Sequence, residues 1–559
     1  VSFDPTQPVK VPGQEIGNGY FMWLQQNTGA VIGIAPLNPV SLLDDRSMIS
    51  HVYRSLGNIQ LDYIMPFLPE LRANLNLGYD VSKSRQWNKM FPNSPITYKE
   101  NKKLGIGQTE TLKQLKRNQL LDFYLNYSND FRQIYSKVEV MAGYSWQKFY
   151  KDGSTITTLM PDNELWYDKT YADHLQLLSF FGRINYTFKD TYLLTFTLRG
   201  DATSRFSKDH RWGTFPALAL GWKIINEPFM QPVANVMNEL KLRLGYGITG
   251  QQEGIGDYTY FASYTPNSEG AYYPVLGNGI TYRPDAYNND LTWEKTITYN
   301  IGVDLGFLDN RITANFDYYY RKTKDLINDV YVAAGSNFKN KVTSNIGSLH
   351  NKGFEFAVTW RAIQQKDWRW ELGFNLTHNT NEIDELVKST GDKYIIRHGG
   401  IAVGDSGSNG IKGYSVGEAV SAFYQQVYDE KGQPIEGEFV DRDNNGIIND
   451  NDRYFYKKSD PDVLMGLSSK LIYKNWDFSF SLRASLGNYA YNAVECSRSD
   501  LSVTGIYSGN AWHNVPQMSL AKNWKKVDAL DALSDYFIQN ASFLKCDNIT
   551  LGYSFDKLF

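Results

Sequence analysis

The sequence predicts an all-β fold: a transmembrane antiparallel up-and-down β-barrel with long extracellular loops and short periplasmic turns. Three observations carry this expectation. Apolar and polar residues alternate with period two along most of the chain. About fifteen such segments run for roughly 10 to 15 residues, longer than the usual globular strand and enough for a tilted strand to cross a bilayer. Short and long connections alternate between them, so the long ones collect at one end.

The alternation is read directly from the residues. Leu240, Leu242, Leu244, Tyr246 and Ile248 share one face of a strand, against Lys241, Arg243, Gly245 and Gly247. Ile297, Tyr299, Ile301, Val303, Leu305 and Phe307 oppose Thr298, Asn300, Gly302, Asp304 and Gly306. Ile312, Ala314, Phe316, Tyr318 and Tyr320 oppose Thr313, Asn315, Asp317, Tyr319 and Arg321. Trp476, Phe478, Phe480, Leu482 and Leu486 oppose Asp477, Ser479, Ser481, Arg483 and Ser485. Each pattern means one greasy and one wet face per strand. The short turns are expected at 66–69, 128–133, 189–190, 308–310, 362–366 and 474–475. The long connections are expected at 81–116, 147–174, 201–214, 250–292, 323–344, 381–461 and 488–542, with 226–238 of medium length in a short slot. A large soluble sandwich or propeller is the competing architecture, but it has no reason to sort its loops by length onto two ends.

Composition fits this reading. Of 559 residues, 42% are hydrophobic, 21% charged and 15% aromatic, and the net charge is −3. That balance lacks the basic footprint of a nucleic-acid binder. The aromatic content excludes disorder, and two cysteines, Cys496 and Cys546, exclude a disulfide scaffold. A mean hydropathy of −0.44 suits either a soluble protein or a barrel whose lumenal residues alternate with lipid-facing ones. Tyr318, Tyr319, Tyr320, Trp368, Trp370, Tyr473, Trp476, Tyr553 and Phe555 cluster near strand ends, as an interfacial girdle does; ordinary core aromatics are the alternative. The start Val1-Ser2-Phe3-Asp4 is neither basic nor followed by an apolar core. An odd strand count would leave a last strand bare in lipid, so the expectation is a larger polypeptide with further strands at one or both ends. Residues 1–51 are expected to be the start of a fragment, a plug-to-barrel region or an early barrel strand, and 52–559 the barrel.

Particular motifs then become recognisable. Ser179-Phe-Phe-Gly-Arg-Ile-Asn-Tyr186, Leu198-Arg-Gly-Asp-Ala-Thr-Ser-Arg-Phe206 and Arg211-Trp-Gly-Thr-Phe-Pro-Ala-Leu-Ala-Leu-Gly-Trp222 occur in order. They are followed by Asn289-Asp-Leu-Thr-Trp-Glu-Lys-Thr296, Asn345-Ile-Gly-Ser-Leu-His-Asn-Lys-Gly-Phe-Glu355 and Ala541-Ser-Phe-Leu-Lys-Cys-Asp-Asn-Ile-Thr-Leu-Gly-Tyr-Ser-Phe555. In this order and spacing they resemble the barrel of SusC/RagA-type TonB-dependent outer-membrane transporters. The resemblance implies part of a 22-stranded barrel in the outer membrane of a Gram-negative cell, filled by an N-terminal plug. It implies energy from a TonB complex acting through the N-terminal region, a SusD-like surface lipoprotein as lid, and oligosaccharide or oligopeptide cargo. No plug or TonB-contact residue is carried over onto this sequence. Outer-membrane lipid is an expected partner and nucleic acid is not.

One local motif carries chemistry of its own. Asp441-Arg-Asp-Asn-Asn-Gly-Ile-Ile-Asn-Asp-Asn-Asp452, within the expected outer loop 381–461, follows the spacing of a twelve-residue calcium loop. Asp441, Asp443 and Asn445 take positions 1, 3 and 5, Gly446 the turn, the Ile447 carbonyl position 7, Asn449 position 9 and Asp452 position 12. Hard oxygen donors at alternate positions wrap a single cation, so a structural Ca2+ is the expected cofactor. A solvated Asx-rich turn is the alternative. Asp452 stands where Glu is usual, and flanking helices are not evident.

Catalysis is not expected. The seven histidines, His51, His174, His210, His350, His378, His398 and His513, form no metal-ligand pair at helical spacing, and neither G-x-S-x-G nor a phosphate loop occurs. Trp166-Tyr167, Tyr272-Tyr273 and Tyr424 lie in expected long loops, where aromatic faces would stack on sugars or simply pack; no cargo-contacting residue is assigned. Whether Cys496 and Cys546 pair is left open. The function expected is energised import of oligomeric nutrients, with a passive porin or surface-binding barrel as the alternative.

Overall fold

A computed structural model describes the chain apart from 1–2, 4–5 and 556–559, single positions 26, 34, 421, 424 and 433, and the segments 101–103, 267–281, 333–338 with 340, 387–395, 401–409, 415–420, 499–506, 509–510 and 513–530. Fifteen antiparallel strands form one sheet in which each strand pairs with its sequence neighbour within the sheet. They are β1 (Arg46–Met65), β2 (Leu68–Met90), β3 (Gln108–Phe131), β4 (Ser136–Leu159), β5 (Glu164–Phe188), β6 (Tyr192–Thr203), β7 (Trp212–Lys223) and β8 (Met237–Gln251). There follow β9 (Glu294–Phe307), β10 (Ile312–Lys324), β11 (Ser348–Gln364), β12 (Trp368–Glu385), β13 (Val463–Tyr473), β14 (Trp476–Leu486) and β15 (Phe543–Tyr553). This is the wall of an up-and-down β-barrel. Among the described residues the sheet is open, with β1 and β15 as its edges.

The register keeps every greasy face continuous. Tyr246 stands opposite Tyr299, Leu244 opposite Ile301 and Leu242 opposite Val303. Those partners face Tyr320, Tyr318 and Phe316 on β10. Phe316 and Ala314 in turn face Phe356 and Val358 on β11. A slip of one residue would turn a whole row of these side chains to the other face, so the pattern fixes the register. From Ile312 to Tyr320 the apolar run covers about 27 Å of strand, or about 20 Å after a tilt of ~40°, close to the ~25 Å apolar band of such barrels.

Two expectations need correction. The strands are longer than the sequence pattern suggested: β1 to β5 have 20, 23, 24, 24 and 25 residues. Consequently the expected long connection 147–174 is mostly strand, and only residues 160–163 join β4 to β5. The expected 81–116 connection likewise shrinks to 91–107. Alternation with polar residues continues there on both faces, so the end of the apolar pattern marked the end of the lipid-facing band and not the end of the strand. Trp166 and Tyr167 therefore lie on β5, while Tyr272, Tyr273 and Tyr424 fall outside the described residues. The sorting by length survives. The turn end has connections 66–67, 132–135, 189–191, 224–236, 308–311, 365–367 and 474–475, and the opposite end carries 252–293, 325–347, 386–462 and 487–542.

Aromatic side chains gather at the turn end. Tyr192 stacks 6.2 Å from Phe188 and 6.5 Å from Trp222, and the Tyr192 hydroxyl and the Trp222 indole N–H both donate to Glu227 Oε1, at 2.6 and 2.9 Å. Further round, Trp368 meets Tyr473 at 4.1 Å and Trp476 meets Tyr553 at 4.8 Å. Tyr319 departs from the expected girdle. It points to the wet face, is 7% exposed, and donates to Asn379 Oδ1 at 3.0 Å. Gly353 makes room for it: a Cβ there would lie 2.7 Å from the Tyr319 hydroxyl.

The wet face is knitted by ion pairs. Arg243 on β8 reaches Asp304 on β9 (Nε to Oδ2, 2.9 Å) and Asp317 on β10 (Nη1 to Oδ1, 3.0 Å; Nη2 to Oδ2, 2.8 Å), so one guanidinium spans three strands. The planar fork matches two carboxylates at once, which a lysine ammonium does not. Gly302 lies directly opposite Arg243 and leaves the space this bridge crosses. Arg243→Met leaves two neighbouring carboxylates without their cation and is expected to lower barrel stability by about 1–3 kcal/mol. The check is the temperature at which the folded barrel loses its fast electrophoretic migration; an unchanged midpoint would refute the assignment.

Candidate functional site

Above the strands, the two longest outer connections interlock, and the acidic loop is bolted to their junction. The hairpin of Gln426–Tyr428 with Pro434–Phe439 receives the segment 531–537 of the other connection. Gln426 is 2% exposed and fully engaged. Its Nε2 donates to the Ile435 carbonyl at 2.6 Å, its Oε1 accepts from the Ser534 hydroxyl at 2.6 Å, and its backbone N–H reaches Asp535 Oδ1 at 3.1 Å. Tyr454 donates to the other Asp535 oxygen at 2.6 Å. Burial pushes the Asp535 carboxyl up, and the Tyr454 hydroxyl and the Gln426 N–H oppose that shift. Phe439, Leu533 and Ile448 close a small apolar cluster beside this junction.

The loop 441–452 hangs from that cluster by Ile448 and from Tyr454, whose ring lies 4.7 Å from the Arg442 guanidinium. Its fold follows from its residue types. Asn444 and Gly446 take left-handed backbone, φ +56° and +77°, which Asn tolerates and Gly adopts freely. The turn this makes folds the side chains inward. Asp441 accepts from the N–H groups of Asn445 (3.3 Å) and Gly446 (2.7 Å), Asp443 from Asn445 N–H (3.2 Å), and Asn445 Oδ1 from Ile447 N–H (2.7 Å). Asn449 donates from Nδ2 to the Ile447 carbonyl at 3.2 Å. Thus the oxygens at positions 1, 3, 5 and 7 and the Asn449 side chain line one concavity. One carboxylate oxygen each from Asp441, Asp443 and Asp452 lie within 4.8 Å of one another.

Asp452 has a second task that the spacing did not reveal. It is fully buried, and its two oxygens accept from Arg442 N–H (2.8 Å), Asp443 N–H (3.5 Å) and Asn449 N–H (2.8 Å). It therefore ties the start of the loop to its end. The Asn449 N–H above all, then Arg442 and Asp443, hold its carboxyl below the usual range. Asp443 shifts the other way: desolvation within the loop, then the neighbouring carboxylates, push it up.

The remaining sequence candidates are dispersed. Cys496 is buried and free, in an apolar cluster with Ala532 and Phe537, and burial raises its thiol to about 11; Cys546 is free and exposed on β15. His350 and His378 sit on separate strands, with Nδ1 atoms 2.6 Å from Asp384 Oδ1 and 2.7 Å from the Asp462 carbonyl. His513 falls outside the described residues, as does the side chain of His398.

A second feature escaped sequence reasoning altogether. On the wet face, near the outer ends of β4, β5, β6 and β8, a recess of 230 Å3 is lined by Gln147, Ser179, Arg199, Asp201, Gln251 and Trp293, among others. Arg199 pairs with Asp201 at 2.6 Å and donates to Ser179 Oγ at 2.8 Å. Trp293 is held by Phe206 and Phe215, ring centroids 5.5 and 5.4 Å away, in a core that pins two outer connections to the wall. The only signal in the sequence was the Leu198-Arg-Gly-Asp motif, whose partners come from three other strands.

Comparisons with known proteins agree with this geometry. The family described as TonB dependent receptor-like, beta-barrel, matches residues 12–399. The TonB-dependent receptor SusC of Bacteroides thetaiotaomicron is 42% identical over the whole of this chain, which covers 56% of that protein. The TonB-dependent receptor P39 of Formosa agariphila is 28% identical over 90% of this chain and 52% of its own length. The chain thus spans about half the length of the curated relatives it matches. In solved structures, the RagAB peptide transporter superposes with a TM-score of 0.78 at 20% identity, over 95% of this chain and 58% of that one, a likeness of fold. Wall, loop ends and residue matches together place this chain in the TonB-dependent receptor-like β-barrel family, whose members sit in the outer membrane.

Proposed function

We propose that this chain forms the barrel wall of an active importer of oligosaccharides or oligopeptides in a Gram-negative outer membrane. The protein draws on TonB-derived energy and works beneath a SusD-like lipoprotein lid. The observation that carries this reading is the 42% identity to the receptor SusC along the whole chain. The fold shared with the RagAB peptide transporter supports it. Physical chemistry supports the energy source. A barrel wide enough for oligomers leaks unless plugged, and the outer membrane holds neither ATP nor a steep ion gradient, so work must arrive mechanically from the inner membrane. The polar recess around Arg199, Asp201 and Trp293 offers charged groups, a hydroxyl and an aromatic face to hydrated cargo. The interlocked outer connections offer a firm seat for a lid.

The same reading gives the acidic loop a structural calcium ion. Oxygens of Asp441, Asp443, Asn445, Asp452 and the Ile447 carbonyl would hold it, with Asn449 at the remaining position. The cation would offset three converging carboxylates and stiffen the loop on the Gln426 junction. Because Asp452 already accepts three backbone N–H groups, it contributes one oxygen and not two.

Three outcomes follow. Deleting the gene for the whole protein should abolish growth on one class of glycan or peptide oligomer and spare growth on its monomers, and disabling TonB should have the same effect; normal uptake without TonB would instead indicate a passive pore. Millimolar Ca2+ should slow proteolytic cleavage within 386–462 of the whole protein relative to a chelator, and D441N/D443N should erase that difference. Equal cleavage with and without Ca2+ in the unmodified protein would remove the metal. Asp452→Ala should speed cleavage there about tenfold even in chelator, because the loop loses its closing acceptor.

A further inference from the structure

Charge is distributed unequally between the two faces of β2, β3 and β4 above the apolar band. The lipid-facing row on these strands runs through Leu77, Leu121 and Trp146 and then, within a few rungs, turns basic. Lys83 and Arg85 on β2, Lys113 and Arg117 on β3 and Lys148 on β4 all share the parity of that apolar row. Arg85 stands directly opposite Lys113. Like charges placed opposite one another destabilise a sheet unless something else occupies the space between them. Asp152 on β4 is the one acid interspersed on this face of the three strands. Among the described residues, none of the five cations has an acidic partner within ion-pair distance. On the wet face of the same strands, by contrast, Arg54 is matched by Asp80 at 2.8 Å.

The two arginines are also held in place. Arg85 lies 4.5 Å over the Trp87 ring and Arg117 lies 4.5 Å over the Tyr150 ring. Stacking of this kind leaves the N–H edge of a guanidinium free for an anion and lowers the ordering cost of binding it. The arrangement recurs on the other side of the sheet, where outward-facing Lys295 and Lys324 are direct cross-strand partners beyond the Tyr299 and Tyr320 pair.

We propose that the outward-facing cations Lys83, Arg85, Lys113, Arg117 and Lys148 bind the phosphate groups of a phosphorylated glycolipid of the outer leaflet, whose acyl chains lie on the apolar row directly below. Height and chemistry select this occupant. The patch begins where hydrocarbon ends, on the end of the wall that carries the long connections. Same-face cations spaced about 5 Å across strands and about 7 Å along them suit phosphates shared between neighbouring lysine and arginine side chains. The extended β2 to β5 wall then gains a collar of tightly held lipid, which anchors the part of the barrel rising above the membrane.

The test uses the whole protein purified in mild detergent, with three probes: a bis-phosphorylated lipid A, the same lipid dephosphorylated, and inorganic phosphate. Lipid retention is read by native mass spectrometry, and folding by heat-modifiable migration. The K83Q/R85Q/K113Q/R117Q variant should lose at least about tenfold in affinity for the phosphorylated lipid. The single variants K113Q and R117Q should each lose part of it. K116Q/K151Q, a paired change on the opposite face of β3 and β4, should leave it unaltered. Equal binding of the dephosphorylated lipid, or full retention by the four-fold variant, would overturn the proposal. Complete displacement by millimolar inorganic phosphate would make this a small-anion site. A change confined to self-association would assign the surface to a second copy of the chain. Either result also overturns it.

Discussion

A strand in hydrocarbon has no water to satisfy its backbone, and that constraint organises the whole molecule. Every N–H and C=O at that depth must find a neighbouring strand, so the chain is laid down as a continuous meander in which β2 through β14 are each paired on both sides. Side chains follow from the same rule. Rows such as Leu242, Val303, Phe316 and Phe356 meet lipid, and the rows between them meet water. Arg243 shows how the wet rows respond, with one guanidinium binding carboxylates from two further strands where a lone charge would be poorly placed.

The two ends of the wall obey different constraints. At the turn end the connections are tight, and the joint between β13 and β14 is only Lys474 and Asn475, with Lys474 at φ +51°. Aromatic rings and Glu227 mark the boundary there. At the other end nothing limits loop length, and the chain spends its residues on surfaces. The longest connections do not dangle separately. Gln426, Ser534, Asp535 and Tyr454 join two of them through a hydrogen-bonded junction assembled from positions about a hundred residues apart. An importer that must present a stable rim to a lid and still admit cargo has use for such a junction.

The strand region and the loops were legible to different degrees. Alternation at 240–248, 297–307, 312–321 and 476–486 identified the right faces, because in-or-out parity is a local property of an extended backbone. Strand length was misread at 81–116 and 147–174, because the apolar signal stops at the membrane surface while pairing goes on beyond it. The calcium-like spacing at 441–452 was visible because its donors are adjacent in the chain, and the structure adds that the loop's last acid doubles as its clasp. Tyr319 was misplaced because three consecutive tyrosines look alike in sequence although the pleat sends the middle one inward.

From the sequence alone come the barrel class, the lipid-facing rows, the sorting of loops by length and the acidic loop, since each depends on neighbours in the chain. Only the tertiary structure decided what stands beside what. The Arg243 bridge, the Arg199 recess, the Gln426 junction and the unmatched cations on β2 to β4 all bring together residues from different strands. Register is the physical reason: it is set by the summed pairing of entire strands, and no short stretch of sequence carries it.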